Sequence, residues 1–211
     1  MQSDDETLAE DLDAALVRAG YGQGSDPAGL LLRTLNGSDV RRRVVALRGA
    51  SRQNLVSDEL WAALLRDSER LVRREVARLL AYQTPLSDDL LEQLVSSLTD
   101  DDPLVAERAA FALGEHAYHA ALEALIALAR HHDDPRCRES AVAALGALGD
   151  DAGLATIIDA LEDKAPIRRR AIVALSNFEG PDVDAALEHA RDDRDWQVRA
   201  AVTQLGRHEN D

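Results

Sequence analysis

The chain has 211 residues, 45% of them hydrophobic, so it is long enough to bury one large core or two smaller ones. Aromatic residues make up only 3%, while Ala and Leu are abundant, and this mix favours closely packed helices over β-sheet. The formal net charge of −15 repels phosphates and anionic lipid headgroups, so neither nucleic acid nor a membrane surface is predicted as a partner.

The first residues, MQSDDETLAEDL, are acidic and polar. They lack the basic and apolar regions of a secretory signal, and no run of about 18 apolar residues follows. We therefore expect a cytoplasmic protein. Cys137 is the single cysteine, which excludes an internal disulfide and a cysteine-rich zinc site.

In chain order, the first predicted element is a helix within the acidic segment 1–22, where Leu8, Leu12 and Leu16 recur every four residues. We interpret it as a helix that caps the structure, and the alternative is a frayed acidic tail. From residue 26 onwards, one pattern recurs every 30 to 33 residues around a leucine. These anchor residues are Leu47, Leu80, Leu113, Leu145, Leu175 and Leu205.

Each anchor lies in an amphipathic segment with helical spacing of its apolar residues, and we call these segments the second helices. They are predicted over residues 39–49, 69–81, 104–114, 136–147, 166–176 and 195–207. Another amphipathic segment, a first helix, precedes each of them, as in SDELWAALLRD, and short turns with Asp, Pro or Gly join the segments. Gly114, Gly146 and Gly206 directly follow anchor residues and are predicted to end their helices. A helix pair of about 30 residues cannot bury both faces alone, so we expect the pairs to stack.

The repeated pattern resembles the HEAT-repeat family, in particular the short variety associated with phycobilin lyases. The resemblance is carried by DSERLVRREVARLL, DDPLVAERAAFALG, DDPRCRESAVAALG and DKAPIRRRAIVALS. It implies an all-α, armadillo-like α-solenoid of about six helical hairpins, with one repeat domain over residues 26–207 and a tail over residues 208–211. The register of the first and last copies stays open by one residue. Three pairs are spaced like the Asp-Arg ladder of this family, namely Asp67 with Arg73, Asp133 with Arg138, and Asp163 with Arg168.

One enzyme with this type of repeat, deoxyhypusine hydroxylase, holds a di-iron centre on His-Glu pairs six and five residues before the anchor. The corresponding pairs here are Arg74-Glu75, Glu107-Arg108, Glu139-Ser140 and Arg169-Arg170, and none contains a histidine. The chain has His116 with His119 and His131 with His132, but His119 and His131 lie about 18 Å apart along a helix, too far for one coordination shell. Cys137 occupies a Val position of its repeat, which predicts a buried, unreactive thiol. We expect no catalytic residue, metal or cofactor.

In resembling solenoids the second helices line the concave surface, so their outward positions predict a binding groove. Positions six and two before the anchor point away from the buried stripe. From them we select ten groove residues, which are Arg41, Val45, Arg74, Arg78, Glu107, Phe111, Glu139, Arg169, Val173 and Arg199. Basic ends, an acidic middle and a central aromatic suit a partner segment of alternating charge with an apolar anchor. The alternative is an ordinary solvated face.

The sequence therefore predicts a non-catalytic scaffold or adaptor that binds a partner protein or peptide in this groove. Two alternatives stay open. One is an enzyme or enzyme subunit of the lyase-like or maturation-factor type. The other is a structural protein that associates weakly with itself through its solenoid ends rather than staying monomeric.

Overall fold

The computed structural model describes the backbone of residues 2–208 and the side chains of residues 11–205. Over the described residues the protein is all-helical, with thirteen α-helices and no β-strand. In chain order they are α1 Gln2–Ala19, α2 Pro27–Leu35, α3 Val40–Arg52, α4 Asp58–Leu65, α5 Arg70–Leu80, α6 Asp88–Ser96, α7 Pro103–Glu115, α8 Leu122–His131, α9 Pro135–Leu148, α10 Asp151–Asp159, α11 Ala165–Leu175, α12 Pro181–Ala190 and α13 Trp196–His208. After α1 they form six successive pairs, α2 with α3 through α12 with α13, which confirms the predicted architecture. Each described helix is too short or too polar to serve as a bilayer-spanning segment.

Side chains at the turns explain where many of these helices begin. The carboxylates of Asp26, Asp39, Asp102, Asp134 and Asp150 accept hydrogen bonds from backbone N–H groups two or three residues further on, at 2.9–3.1 Å. A proline occupies the first turn of α2, α7, α9, α11 and α12, where its missing N–H costs no hydrogen bond. The Asp and Pro turns of the repeated pattern therefore separate one helix from the next.

The anchor leucines mark the centre of the core in two compact units, residues 1–90 and residues 91–211. Leu47 and Leu80 in the first unit, and Leu113, Leu145 and Leu175 in the second, have no exposed surface. Leu205 is half-buried, and α13 contributes Val198 and Val202 to the core instead. In the first unit α3 packs against α1, α2 and α5, and in the second α9 packs against α7, α8 and α11. Consecutive repeats within a unit thus meet through their second helices.

Helix α1 packs onto the start of the first unit. Leu16 and Ala19 are each only 1% exposed. The side chain of Gln53 donates a hydrogen bond to the carbonyl oxygen of Ala19 at 2.6 Å, and Arg52 donates one to the carbonyl of Gly20 at 3.0 Å. These contacts favour a capping helix over a frayed tail. The side chain of Leu8, and residues 209–211 of the predicted tail 208–211, lie outside the described residues.

The predicted Asp and Arg residues do form a ladder, but with a different pairing. Arg138 donates from Nε and Nη2 to the carboxylate of Asp163, at 2.7 and 2.8 Å, and Arg168 does the same to Asp193 at 2.8 Å. In the first unit the carboxylate of Asp67 pairs with Arg43. Each arginine also donates to a backbone carbonyl oxygen that precedes its own helix, as Arg168 does to the carbonyl of Asp163 at 2.8 Å. In these three places the ladder therefore joins one repeat to the following one within the same unit.

The prediction that Gly114, Gly146 and Gly206 end their helices is wrong, because all three fall within the bounds of α7, α9 and α13. A Cβ atom on Gly146 would lie 2.6 Å from the Cβ of Ala174 on α11, and one on Gly114 would lie 2.9 Å from the Cα of Ala144 on α9. These two glycines allow neighbouring second helices to approach closely. Helix α9 ends instead at Gly149, whose φ of 62° is the left-handed conformation that glycine adopts without strain.

Candidate partner-binding face

The ten predicted groove residues all lie on second helices, and none of them belongs to the core. The first unit holds Arg41, Val45, Arg74 and Arg78, on α3 and α5. The second unit holds Glu107, Phe111, Glu139, Arg169, Val173 and Arg199, on α7, α9, α11 and α13. Arg41, Phe111, Val173 and Arg199 are exposed, and the other six are half-buried. We call the two groups the first face and the second face, and describe each within its own unit.

On the first face, Arg78 shares the carboxylate of Glu75 with a second arginine, Arg48. Arg48 donates from Nε to Oε1 of Glu75 at 2.6 Å and from Nη2 to Oε2 at 3.2 Å. Arg78 donates from Nη2 and Nε to the same Oε1, at 2.6 and 3.2 Å. The side chain of Glu75 is only 5% exposed, whereas those of Arg48 and Arg78 are 53% and 40% exposed. We call these three residues the Glu75 cluster.

The Glu75 cluster carries a net positive charge. Burial opposes ionisation of Glu75, but the hydrogen bonds from Arg48 and Arg78 outweigh it and hold the pKa of the carboxyl below its ordinary value. One carboxylate therefore faces two guanidiniums. Sequence reasoning missed Arg48 and Glu75. The three-residue spacing of Glu75 and Arg78 predicts an ion pair along one helix. Arg48 could not be found in this way, because it lies 27 residues from Glu75 on another helix.

On the second face, large apolar side chains are partly exposed on three of the four helices. Phe111 on α7 is 41% exposed, Val173 on α11 is 51% exposed, and Trp196 at the start of α13 is 67% exposed. Sequence reasoning left Trp196 out of the groove. Arg169 on α11 donates to the side-chain oxygen of Gln197 on α13 at 2.5 Å, which fixes one charged group between two of these helices. The second face thus combines exposed apolar side chains with a hydrogen-bonded pair of polar side chains, Arg169 and Gln197.

The two glutamates of the second face differ in their partners. Glu139 on α9 pairs with Arg170 on α11 at 3.6 Å. Among the described residues, no cationic group lies within ion-pair distance of the Glu107 carboxylate. Burial raises the pKa of Glu107, and although the charges of Arg108 and Arg136 lower it in part, the effect of burial prevails. Glu107 is therefore a partly desolvated carboxylate, one helical turn from Phe111, that a cation from outside can stabilise.

We expect Glu107→Gln to raise the Tm at neutral pH. Because the pKa of Glu107 is raised on folding, its ionised form costs stability above that pKa. The gain in Tm should be full at neutral pH. It should shrink as the pH falls through the pKa of Glu107 in the folded state and vanish below its pKa in the unfolded state, where the carboxyl is protonated in both states. Thermal unfolding followed by circular dichroism between about pH 7 and pH 4 measures it. The exposed variant Glu92→Gln serves as the control, and a lower Tm for Glu107→Gln at neutral pH would contradict the assignment.

Metal-ligating and nucleophilic side chains do not converge on either face. Within the described part of the chain, no group of three or more His, Cys, Asp or Glu residues could hold a metal ion. His119 approaches one carboxylate, that of Asp150, with Nδ1 and Oδ2 3.6 Å apart. Cys137 has no exposed surface, and burial raises the pKa of its thiol to about 11. The predicted burial of this thiol is confirmed, and its high pKa disfavours the reactive thiolate.

Two clefts lie away from these faces, in the second unit. The larger, of about 360 Å³, runs between α8 and residues 95–100 and is lined largely by apolar side chains. At its rim the hydroxyl of Thr99 donates to the carbonyl of Ser96, and Nδ1 of His132 accepts from the N–H of Asp134. The smaller, of about 300 Å³, lies beside the pair of Arg168 and Asp193. The side chains of Thr99, His132, Arg168 and Asp193 in these clefts are thus engaged in holding the fold.

Within each unit, helical hairpins pack on one another through their second helices, which is the architecture of an α-solenoid repeat protein. The chain belongs to the HEAT-repeat family. The family model for HEAT repeats matches residues 57–146, 87–173 and 122–206, which together make up more than half of the chain. The resemblance seen in the sequence is therefore confirmed.

Known proteins of several kinds are similar to this chain. Deoxyhypusine hydroxylase-B of rice, Oryza sativa subsp. japonica, is 29% identical over 131 residues, which are 61% of this chain and 43% of the rice protein. The chain thus spans less than half the length of this curated relative. The structure of the CpcE and CpcF complex of phycocyanin lyase from Nostoc sp. PCC7120 matches with a TM-score of 0.64 and 22% identity, over 83% of this chain and 74% of that one. A designed armadillo repeat protein in complex with the peptide (KR)4 matches with a TM-score of 0.60 and 16% identity, over 83% of this chain and 96% of the designed one. At these identities the two structures show the fold alone.

Proposed function

We propose that this protein is a non-catalytic interaction scaffold that binds a segment of a partner protein on its second helices. The observation that carries the proposal is the exposure of Phe111 and Val173, which are 41% and 51% exposed at outward positions of the second face. Aromatic and apolar side chains of this kind supply much of the energy of protein interfaces when a partner removes them from water.

The charges of the second face support a partner segment that carries a basic residue next to an apolar one. Glu107 lies one helical turn before Phe111 on α7 and has lost part of its hydration. A Lys or Arg of the partner would compensate for that loss, while a neighbouring apolar side chain would cover Phe111. The designed armadillo protein that holds (KR)4 supports the idea that a solenoid of this type can bind a basic peptide.

A second candidate is a role as an enzyme subunit or maturation factor. It is favoured by the similarity to the rice hydroxylase and by the fold shared with the phycocyanin lyase complex. The positions that hold di-iron ligands in the hydroxylase contain no histidine here, which argues against the same chemistry. Elemental analysis of the purified protein separates the two candidates, because stoichiometric iron would support the enzyme and contradict the scaffold.

We expect the double variant Phe111→Ala, Val173→Ala to reduce partner capture at least about tenfold, which corresponds to a combined loss of about 1.4 kcal/mol at the centre of the interface. Quantitative mass spectrometry of proteins captured from a lysate of the source organism measures the loss. The matched control is Val17→Ala, Tyr21→Ala, which truncates two side chains that are 55% and 66% exposed outside the second helices. Unchanged capture by the first variant, with its helical content intact, would overturn the proposal.

A further inference from the structure

The Glu75 cluster holds two guanidiniums in fixed orientations at the surface of the first unit. In both arginines Nε and Nη2 are engaged by Glu75, and the Nη1 groups donate to no residue in the described part of the chain. Glu75 is buried, so it cannot move freely, and each arginine is held to it by two hydrogen bonds. The remaining N–H donors are therefore pre-organised, and a ligand that uses them has little side-chain entropy left to remove.

The charge balance of the cluster differs from that of the ordinary surface pairs in this protein. Arg33 with Asp26, and Arg191 with Glu188, are exposed pairs of one cation and one anion. In the Glu75 cluster a single carboxylate pairs with two guanidiniums, so the cluster has a net charge of +1. The chain as a whole has a net charge of −15. An anionic group is the ligand that completes this arrangement.

An apolar side chain accompanies the charge. Leu71 lies two helical turns before Arg78 on the same side of α5 and is 45% exposed. On α3, Val45 lies one turn before Arg48 and is half-buried. A ligand at the cluster therefore meets apolar surface next to the cationic group, which a peptide side chain can cover and a bare anion cannot.

We propose that the Glu75 cluster is a carboxylate-binding site that takes an Asp or Glu side chain of an acidic partner segment, with an apolar side chain of that segment on Leu71. A carboxylate matches the planar fork of a guanidinium and accepts its N–H donors in pairs. The proposal rests on the scaffold function and names the partner chemistry of the first face. A nucleic acid would also present anions, but it carries a phosphate at every nucleotide and meets the acidic remainder of the protein, whereas a partner segment needs only one Asp or Glu at the cluster.

Fluorescence anisotropy with the full chain tests the site. The probes are a fluorescein-labelled, amidated peptide in which one Asp-Glu pair is flanked by leucines, the uncharged peptide with Asn-Gln in place of Asp-Glu, and an oligothymidylate of eight nucleotides. We expect the acidic peptide to bind at least about tenfold more tightly than the uncharged one, and its affinity to fall as salt is added. Equal affinity for the two peptides, or tighter binding of the oligothymidylate, would overturn the proposal.

The double variant Arg48→Gln, Arg78→Gln should weaken binding of the acidic peptide at least about tenfold, because it removes both guanidiniums. Its matched control is Arg18→Gln, Arg33→Gln, which changes the net charge equally at exposed positions elsewhere in the first unit. The control should weaken binding less than about twofold. Equal losses in the two variants would show that the peptide responds to net charge alone, and the site would be rejected.

Glu75→Gln separates pre-organisation from charge. It removes a negative charge, so charge alone predicts tighter binding of the acidic peptide, whereas weaker hydrogen bonds to the two arginines predict weaker binding. We expect weaker binding, and tighter binding would overturn the pre-organised site. Circular dichroism accompanies the measurement because Glu75 is buried, and the exposed arginine variants decide the matter if Glu75→Gln does not fold.

The scaffold function and the carboxylate site fail in different ways. If the acidic peptide does not bind, but the Phe111 and Val173 variant still loses its captured partner, the carboxylate site alone is rejected. If the Phe111 and Val173 variant leaves partner capture unchanged, the scaffold function is rejected whether or not the acidic peptide binds.

Discussion

Arg168→Met is expected to lower the free energy of unfolding by about 3 kcal/mol, the low end of the range for breaking a buried ion pair on one side. Arg168 is 4% exposed and donates two parallel hydrogen bonds of 2.8 Å to Asp193. A third, also 2.8 Å long, reaches the carbonyl oxygen of Asp163. Without the guanidinium, the Asp193 carboxylate, 13% exposed, loses its counter-ion and the carbonyl loses its donor. Urea denaturation followed by circular dichroism measures the change.

Two further variants show whether the loss comes from the buried charge. Arg191→Met breaks the ion pair between Arg191 and Glu188, whose side chains are 65% and 71% exposed, respectively. It should lower the free energy of unfolding by at most about 0.5 kcal/mol. Adding Asp193→Asn to Arg168→Met should recover part of the stability, since the unpaired carboxylate is gone. If Arg168→Met costs no more than Arg191→Met, the ladder between repeats contributes little to the fold.

The same pair determines how the loss depends on pH. The Arg168 guanidinium lowers the pKa of Asp193 below its ordinary value of 3.8. A carboxyl whose pKa is depressed on folding stabilises the fold above the unfolded-state pKa, and this stabilisation is lost as the pH falls through the folded-state value. The difference between the native protein and Arg168→Met should therefore be largest near neutral pH and should narrow below about pH 4.

The repeat architecture could be predicted because the local pattern and the global fold agree in five of the six copies. The apolar spacing around each anchor residue places it inside, and five of the six anchors have no exposed surface. The predicted second helices at 39–49 and 104–114 correspond to Val40–Arg52 and Pro103–Glu115. The Asp and Pro turns predict where the helices begin. The helix ends were predicted from glycines, and the sequence does not show that Gly114 and Gly146 serve close helix packing instead.

Contacts between helices are what the sequence did not reveal. Angular position along a helix was enough to place all ten groove residues outside the core. It could not show that Arg48 on α3 approaches Glu75 on α5, or that the carboxylate of Asp163 pairs with Arg138 rather than with Arg168. Both pairings depend on how far apart neighbouring repeats lie. Arg138 and Asp163 are 25 residues apart, and so are Arg168 and Asp193. This shared spacing is the sequence signal that predicts the pairing between repeats.

Gly146→Ala is expected to destabilise the protein by about 1–3 kcal/mol, against the direction of helix propensity, which favours Ala by roughly 1 kcal/mol. Gly146 lies inside α9, where the new Cβ would stand 2.6 Å from the Cβ and 2.8 Å from the Cα of Ala174 on α11. Neither atom can rotate away, so the two helices would have to move apart. Urea denaturation compared with the native chain measures the cost.

Ala147→Ser is the matched control, because it adds one heavy atom at the next, exposed position of the same helix and should change stability by less than about 0.5 kcal/mol. Gly114→Ala should behave like Gly146→Ala, since its Cβ would lie 2.9 Å from the backbone of Ala144. A gain in stability for either glycine variant would mean that helix propensity decides, and that the second helices have room to separate. Because the second face is built on α7, α9 and α11, a loss of stability together with weaker partner capture would link the spacing of these helices to binding.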